Sequence, residues 1–240
     1  MKIGIYCTVS SRELHIALAT LHFAEVCEHV FNIAILITDG EPVNPRNISE
    51  KITVYSRDFG AGYDLSIADG GYDQIAARNF LIDILSDTDA DWLMMHDADD
   101  VYLYEFYRFI SEECNAVDAV TCSCITVRPG PELCVPQAKK QHVQGRTLYD
   151  PHTRIWKKKL GLRFKKSEGV EQHFVNHSRH CGVFFPRELH ILSIDGLYHF
   201  HLHALFNKRH SDKIANYARL DCIFPENIGH FLKTNSWLFS

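Results

Sequence analysis

The sequence predicts an α/β fold, a mainly parallel central sheet flanked by helices, on two observations. Strand-like and helix-like segments alternate through the first half of the chain, the pattern of parallel strands joined by crossover helices. Three of those strands then run out into polar residues, Thr8-Val9-Ser10, Asp39 and Asp97-Ala98-Asp99-Asp100. Ligands of open α/β sheets sit outside the carboxyl ends of the strands. With 240 residues, 46% hydrophobic and 23% charged, the chain can bury a sizeable core, and no linker or repeat divides it. One soluble domain over residues 1–240 is expected, with a ligand-binding half at 1–100 and a second half at 101–240.

The elements follow in order. Lys2 to Thr8 reads as an apolar strand, after which Ser11 is placed to cap a helix with Leu14, Ala17, Leu18 and Leu21 on one stripe. Ile33 to Thr38 and Lys51 to Ser56 read as the next two strands. Gly60, Gly62, Gly70 and Gly71 bracket a loop, and a helix opening near Tyr72 carries Ala77, Leu81, Ile84 and Leu85 at helical spacing. That helix leads into the strand Trp92 to Met95. In the second half, Ala119 to Val127 reads as a strand, Arg128-Pro129-Gly130-Pro131 as a turn, and Arg154 to Phe164 as a strand and hairpin. Leu197 to Ala204 alternates like a further strand, and Lys208 to Leu220 reads as a closing helix.

Composition excludes several classes. A formal charge of −5 argues against a protein that coats nucleic acid without specificity. No stretch is long and apolar enough for a membrane helix, and polar Thr8, Ser10, Ser11, Arg12 and Glu13 end any leader-like reading of the N-terminus. The cytoplasm is the expected location. The eight cysteines lack zinc-knuckle spacing, since Cys122 and Cys124 have one residue between them, and they read as reduced, mostly buried thiols.

The run Asp91-Trp92-Leu93-Met94-Met95-His96-Asp97-Ala98-Asp99-Asp100 carries the most chemistry. On an extended chain Asp97 and Asp99 share a face, and two carboxylates aimed at one point call for a cation between them. Hard oxygen donors select Mg2+ or Mn2+, with coordination positions left over for phosphate oxygens. The alternative is a solvated acidic turn after a strand. For Asp39, contact with a pyrimidine ring N–H stands against an ordinary turn aspartate before Gly40.

Asp39 closing an early strand, Ala77-Arg78-Asn79 opening a helix, and an apolar strand ending in Asp97-Ala98-Asp99-Asp100 together resemble the GT-A glycosyltransferases of the family 2-like branch. Downstream, Arg154-Ile155-Trp156-Lys157, Gly161-Leu162-Arg163-Phe164 and Tyr198-His199-Phe200-His201 are similar to the acceptor half of that group. The resemblance implies a GT-A-like, Rossmann-like nucleotide-binding fold. It further implies metal-dependent transfer of a sugar from a nucleotide-diphosphate sugar, a UDP-sugar foremost, to a hydroxyl acceptor with inversion. Thr8, Ser10, Asp39, Arg78 and Asp97 would contact the donor. Asp97, Asp99 and one of His199 or His201 would hold the ion, and Lys208 and Arg209 would neutralise diphosphate. Glu171, with Glu168 in reserve, would be the base. The acidic pair usual before the base is missing, as is the Gln-x-x-Arg-Trp sequence of processive synthases.

Two further features stand beside this reading. His199, His201 and His203 would face one way on a strand and could instead build a hydrolase's zinc site with the Asp97 cluster; a silent nucleotide-binding module is the other alternative. Arg154, Lys157, Lys158, Lys159, Arg163, Lys165 and Lys166 form a basic run interleaved with Trp156 and Phe164. It is either a solvated face or a surface for an anionic acceptor, such as a modified nucleic acid, a lipid phosphate or a glycan.

Overall fold

The computed structural model describes residues 1–60, 73–130, 132–136, 139–143, 145–166, 174–178, 181–206, 214–220 and 224–239. β1 (Ile3–Val9), α1 (Leu14–Thr20), α2 (His22–Glu25), β2 (Val30–Ile37), β3 (Ile52–Ser56), α3 (Gln74–Ser86) and β4 (Trp92–Met95) build the first half. The four strands lie in the order β3-β2-β1-β4 with every neighbour parallel. Their interiors are buried almost without a break, as parallel strands covered on both faces require. Ile3, Ile5, Cys7 and Val9 point to one face, against Leu14, Ala17 and Leu21; Tyr6 points to the other, against Leu81 and Leu85 of α3. The two-residue period of the strand thus distributes one short sequence between two cores. Asp73 caps α3, its carboxylate accepting from the Ala76 N–H at 2.9 Å.

Beyond β4 the sheet turns antiparallel. The second half contributes β5 (Asp100–Tyr102), α4 (Tyr104–Glu113), β6 (Ala119–Arg128), β7 (Glu132–Val135), β8 (Lys140–Val143), β9 (Arg146–Tyr149) and β10 (Pro151–Lys157). After them come β11 (Phe164–Lys166), β12 (Phe174–Ser178), β13 (Cys181–Phe184), β14 (Ile191–Ser193), β15 (His199–His201), α5 (His203–Phe206) and β16 (Ala218–Arg219). β10 pairs with β4, and β6, β7 and β16 continue the sheet from it. β14 and β15 run parallel to separate stretches of β6, and β5 pairs with β15. The architecture is the mixed α/β sheet flanked by helices that the alternation of elements predicts. Among the described residues no helix is long and apolar enough to cross a membrane.

Several local expectations are corrected. Ser10, not Ser11, precedes the first helical turn, which is a 3-10 turn at Ser11–Glu13, and its hydroxyl donates to the Glu13 carboxylate at 2.9 Å. The strand expected from Leu197 to Ala204 narrows to β15, and His203 opens α5 instead of continuing it. The helix expected at Lys208 to Leu220 is not seen where the chain is described: Ile214–Asn216 is a 3-10 turn, and Ala218 and Arg219 pair with Val135 and Cys134. The edge of β7 recruits this segment as a strand, and the closing helix is Glu226–Thr234. Trp156 and Phe164 are buried, stacked edge-on with Tyr6 at 6.2 and 6.4 Å, so neither is available to a base or a sugar.

Trp156→Ala is expected to cost about 3–5 kcal/mol, the usual range for emptying an aromatic site in a core. Urea unfolding measures it; a loss below about 1 kcal/mol would mean that Trp156 does not anchor this core.

Candidate functional site

The parallel half leaves β1 in two directions, toward β2 on one side and β4 on the other, and ligand crevices open outside the carboxyl ends of strands at such a switch point. The His96 N–H still bonds the Tyr6 carbonyl at 2.9 Å, one residue past β4. There the chain turns. The Asp100 N–H donates to the Asp97 carbonyl at 3.1 Å, and the Asp97 N–H donates to Asp100 Oδ2 at 3.1 Å. The segment is therefore not the extended chain that would aim Asp97 and Asp99 at one point, and each of the three carboxylates meets its own set of partners.

Asp97 is held by arginines. Arg154 Nη1 donates to its Oδ2 at 2.7 Å, and Arg78 Nη2 stands 3.6 Å from Oδ1 while its guanidinium lies 5.0 Å over the Phe164 ring. Burial alone would raise this carboxyl, but Arg154 and then Arg78 hold it below the usual range. Asp100 is completely buried and takes hydrogen bonds from Arg154, from His199 Nε2 and, at 2.8 Å, from His201 Nδ1. Desolvation opposes its ionisation, yet Arg154 and His199 keep it well below the carboxylate range. Burial drives His199 down to about 3, so it is a neutral ring donating Nε2–H.

Asp97 and Asp99 both keep some access to solvent, their side chains 31% and 23% exposed, and of the two it is Asp99 that stands beside histidines. His201 Nδ1 stands 3.7 Å and His203 Nδ1 3.8 Å away, too far for hydrogen bonds. Burial pushes Asp99 up to about 6 against the pull of His201, with Asp100 and Asp97 adding to the rise. Burial works against a charged His201, but Asp99 and Asp100 overcome it and push the ring up to about 9. The ligand atoms of Asp99, His201 and His203 all lie within 4.8 Å of one another. These residues fit a divalent ion: Nδ1–H of His201 donates to Asp100, a bound cation would displace the ring's second proton and free Nε2 as a donor, and a carboxylate behind an imidazole is the usual second support of a metal ligand. Two imidazoles and one carboxylate suit Mn2+ better than Mg2+, which prefers oxygen alone.

His199 and His201 do share one side of β15, as their common partner Asp100 requires, whereas His203 arrives from α5. Asp97 stands outside the Asp99 group. Asp39 accepts from the Ser11 N–H and hydroxyl, both at 2.8 Å, and from the Glu41 N–H at 3.3 Å; burial opposes its ionisation and Ser11 lowers it again. Thr8 lies near the end of β1 and Ser10 just after it, on the same edge. Glu168, Glu171, Lys208 and Arg209 lie outside the described residues. The basic run is no continuous face: Arg154 is buried, Lys157 reaches the Asn115 carbonyl at 2.6 Å, Lys158 that of Ser86 at 3.2 Å, and Arg163 pairs with Asp83 at 2.7 Å. Sequence reasoning missed Asp100 as a hub and Arg154 as its partner. The available signal was a cation set between Thr153 and the apolar pair Ile155-Trp156 in the middle of a strand, where only a buried anion makes it tolerable.

Arg154→Met is expected to cost about 3–5 kcal/mol in urea unfolding, because Asp100 would be left with too little compensation for its buried charge. A second expectation concerns acid. The unfolded chain protonates His199 below about pH 6.5, while the folded chain resists until about 3, so its contribution to stability falls with pH across that window by on the order of 1 kcal/mol per pH unit. The stability advantage of the wild type over His199→Gln should accordingly shrink from pH 7 to pH 4. A constant difference would mean the ring is protonated in the folded state.

No protein-family model matches the sequence, and no curated protein matches it. Among solved structures, the chain is similar to 4-diphosphocytidyl-2C-methyl-D-erythritol synthase from Anaerococcus prevotii, with 11% identity and a TM-score of 0.39 over 66% of this chain and 71% of that one. Another solved 4-diphosphocytidyl-2C-methyl-D-erythritol synthase gives 15% identity and a TM-score of 0.42, over 67% of this chain and 77% of that one.

Proposed function

We propose that the chain is a metal-dependent, GT-A-like glycosyltransferase that moves a sugar from a nucleotide-diphosphate sugar, foremost a UDP-sugar, to a hydroxyl acceptor with inversion. The observation that carries the reading is the partly buried set Asp99, His201 and His203 beyond the carboxyl end of β4, backed by buried Asp100. Three protein ligands leave coordination positions for diphosphate oxygens, and a bound Mn2+ would act as a Lewis acid on the charge that develops on the departing diphosphate.

The remaining roles belong to the chain's own side chains. Asp100 fixes the His201 ring by accepting Nδ1–H, so that Nε2, once its proton is displaced by the ion, would be the ligating atom. Arg78 and Arg154 neutralise Asp97, so that the crevice is less hostile to an anionic donor than three adjacent carboxylates would be. In this reading Thr8, Ser10 and Asp39 line the nucleoside edge. Lys208 and Arg209 approach the diphosphate, and Glu171, with Glu168 in reserve, takes the proton of the acceptor hydroxyl. Residues 1–100 then serve chiefly the donor and 101–240 the acceptor, although His201 and His203 cross over to complete the ion's shell.

The test is a thermal-shift panel of UDP-, GDP- and CDP-sugars with and without Mn2+. A donor at 100 times its Kd stabilises the native state by about 2.7 kcal/mol. The shift should require Mn2+ and vanish in Asp99→Asn, and turnover with a matched acceptor should fall at least about 100-fold in the same variant. Full metal-dependent binding and turnover by Asp99→Asn would overturn the assignment. Zinc-dependent hydrolysis without any nucleotide-sugar would point to the hydrolase instead.

A further inference from the structure

A second group of ligating atoms lies behind the crevice and shares no residue with the first. Cys124 of β6, His152 of β10 and His199 of β15 place a sulfur and two ring nitrogens within 4.8 Å of one another. The strand register explains the convergence. β6 is flanked by both partners, with His152 opposite Cys122 and His199 opposite Cys124. Cys122 and Cys124 are two apart on one strand, so the residues opposite them lie on the same face of the sheet.

The two imidazoles have the same arrangement. Each turns Nε2 toward a carboxylate, His199 hydrogen-bonded to Asp100 and His152 3.7 Å from Asp150 Oδ1. Each has a buried Nδ1 without a hydrogen-bond partner among the described residues. One orphaned ring nitrogen in a core already costs about 1–3 kcal/mol. Two of them beside a thiol, with a carboxylate behind each ring, form the pattern in which an outer carboxylate orients a metal-bound histidine. His199 is fully buried and Cys124 is 3% exposed, so these atoms cannot satisfy themselves in bulk water.

We infer that Cys124, His152 and His199 form a structural site for a borderline-soft divalent cation, Zn2+, which ties β6, β10 and β15 together beneath the crevice. One thiolate and two imidazoles are ligands that select zinc over Mg2+ or Mn2+. Ligands on one Zn2+ stand about 3.3–3.8 Å apart given bonds of about 2.0–2.3 Å, so closing the set takes side-chain shifts on the order of 1 Å. Binding releases the thiol proton to solvent, and no electrons change hands. Because His199 also donates to Asp100, the ion would fix the carboxylate on which the His201 ring is oriented. The inference stands independently of the proposed transferase activity.

The full chain, stripped with chelator and titrated with Co2+ as a spectroscopic stand-in, tests it. The wild type should develop a near-ultraviolet thiolate-to-cobalt charge-transfer band saturating at one equivalent, and Zn2+ should displace it. His203→Ala, which damages only the crevice set, should keep the band. Cys124→Ser should lose it while retaining its far-ultraviolet circular dichroism. His152→Gln, at a partly exposed position, should weaken Co2+ binding at least about tenfold and decides the matter if Cys124→Ser does not fold. No band in the wild type, or a band that survives Cys124→Ser, would overturn the inference and leave a bridging water as the partner of the two ring nitrogens.

Discussion

Asp100 imposes the constraint from which the rest of the site follows. A carboxylate with no exposure stays ionised only when neighbouring donors replace the water it has lost, and here the donors come from Arg154, His199 and His201. Those residues stand on β10 and β15, while Asp100 opens β5. One buried charge thereby couples three strands that the chain reaches about 50 and 100 residues apart. The crevice group inherits its geometry from this arrangement: His201 is oriented by its bond to Asp100, and Asp99 keeps partial access to solvent while the same turn buries its neighbour completely.

The fold of the first half was legible because its physics is local. Apolar runs of the right length and a helical stripe each announce themselves within a few residues, and β1, β3, α3 and β4 appear within a residue or two of where periodicity puts them. The second half depends on pairing. Ala218 and Arg219 are strand because β7 offers an edge, and no property of Lys208 to Leu220 by itself says so.

The site was half legible for the same reason. Composition marked the acidic cluster and the late histidines, and the structure does bring Asp99 and His201 together. Spacing failed where it assumed an extended backbone, since a turn at 97–99 sends Asp97 to two arginines and Asp99 to two histidines. Arg154 was hidden in plain view inside a run of positive residues; only its burial separates it from Lys157 and Lys158, which reach backbone carbonyls.

β15 is only three residues long, and its two histidines sit at its first and last positions. A slip of one residue against β6 would swing both rings to the opposite side of the sheet and present Phe200 to the anion instead. The connector at 194–198 that delivers β15 is therefore intolerant of insertions and deletions to a degree unusual for a surface segment. Among diverged copies of this gene, length there should be held more strictly than residue identity.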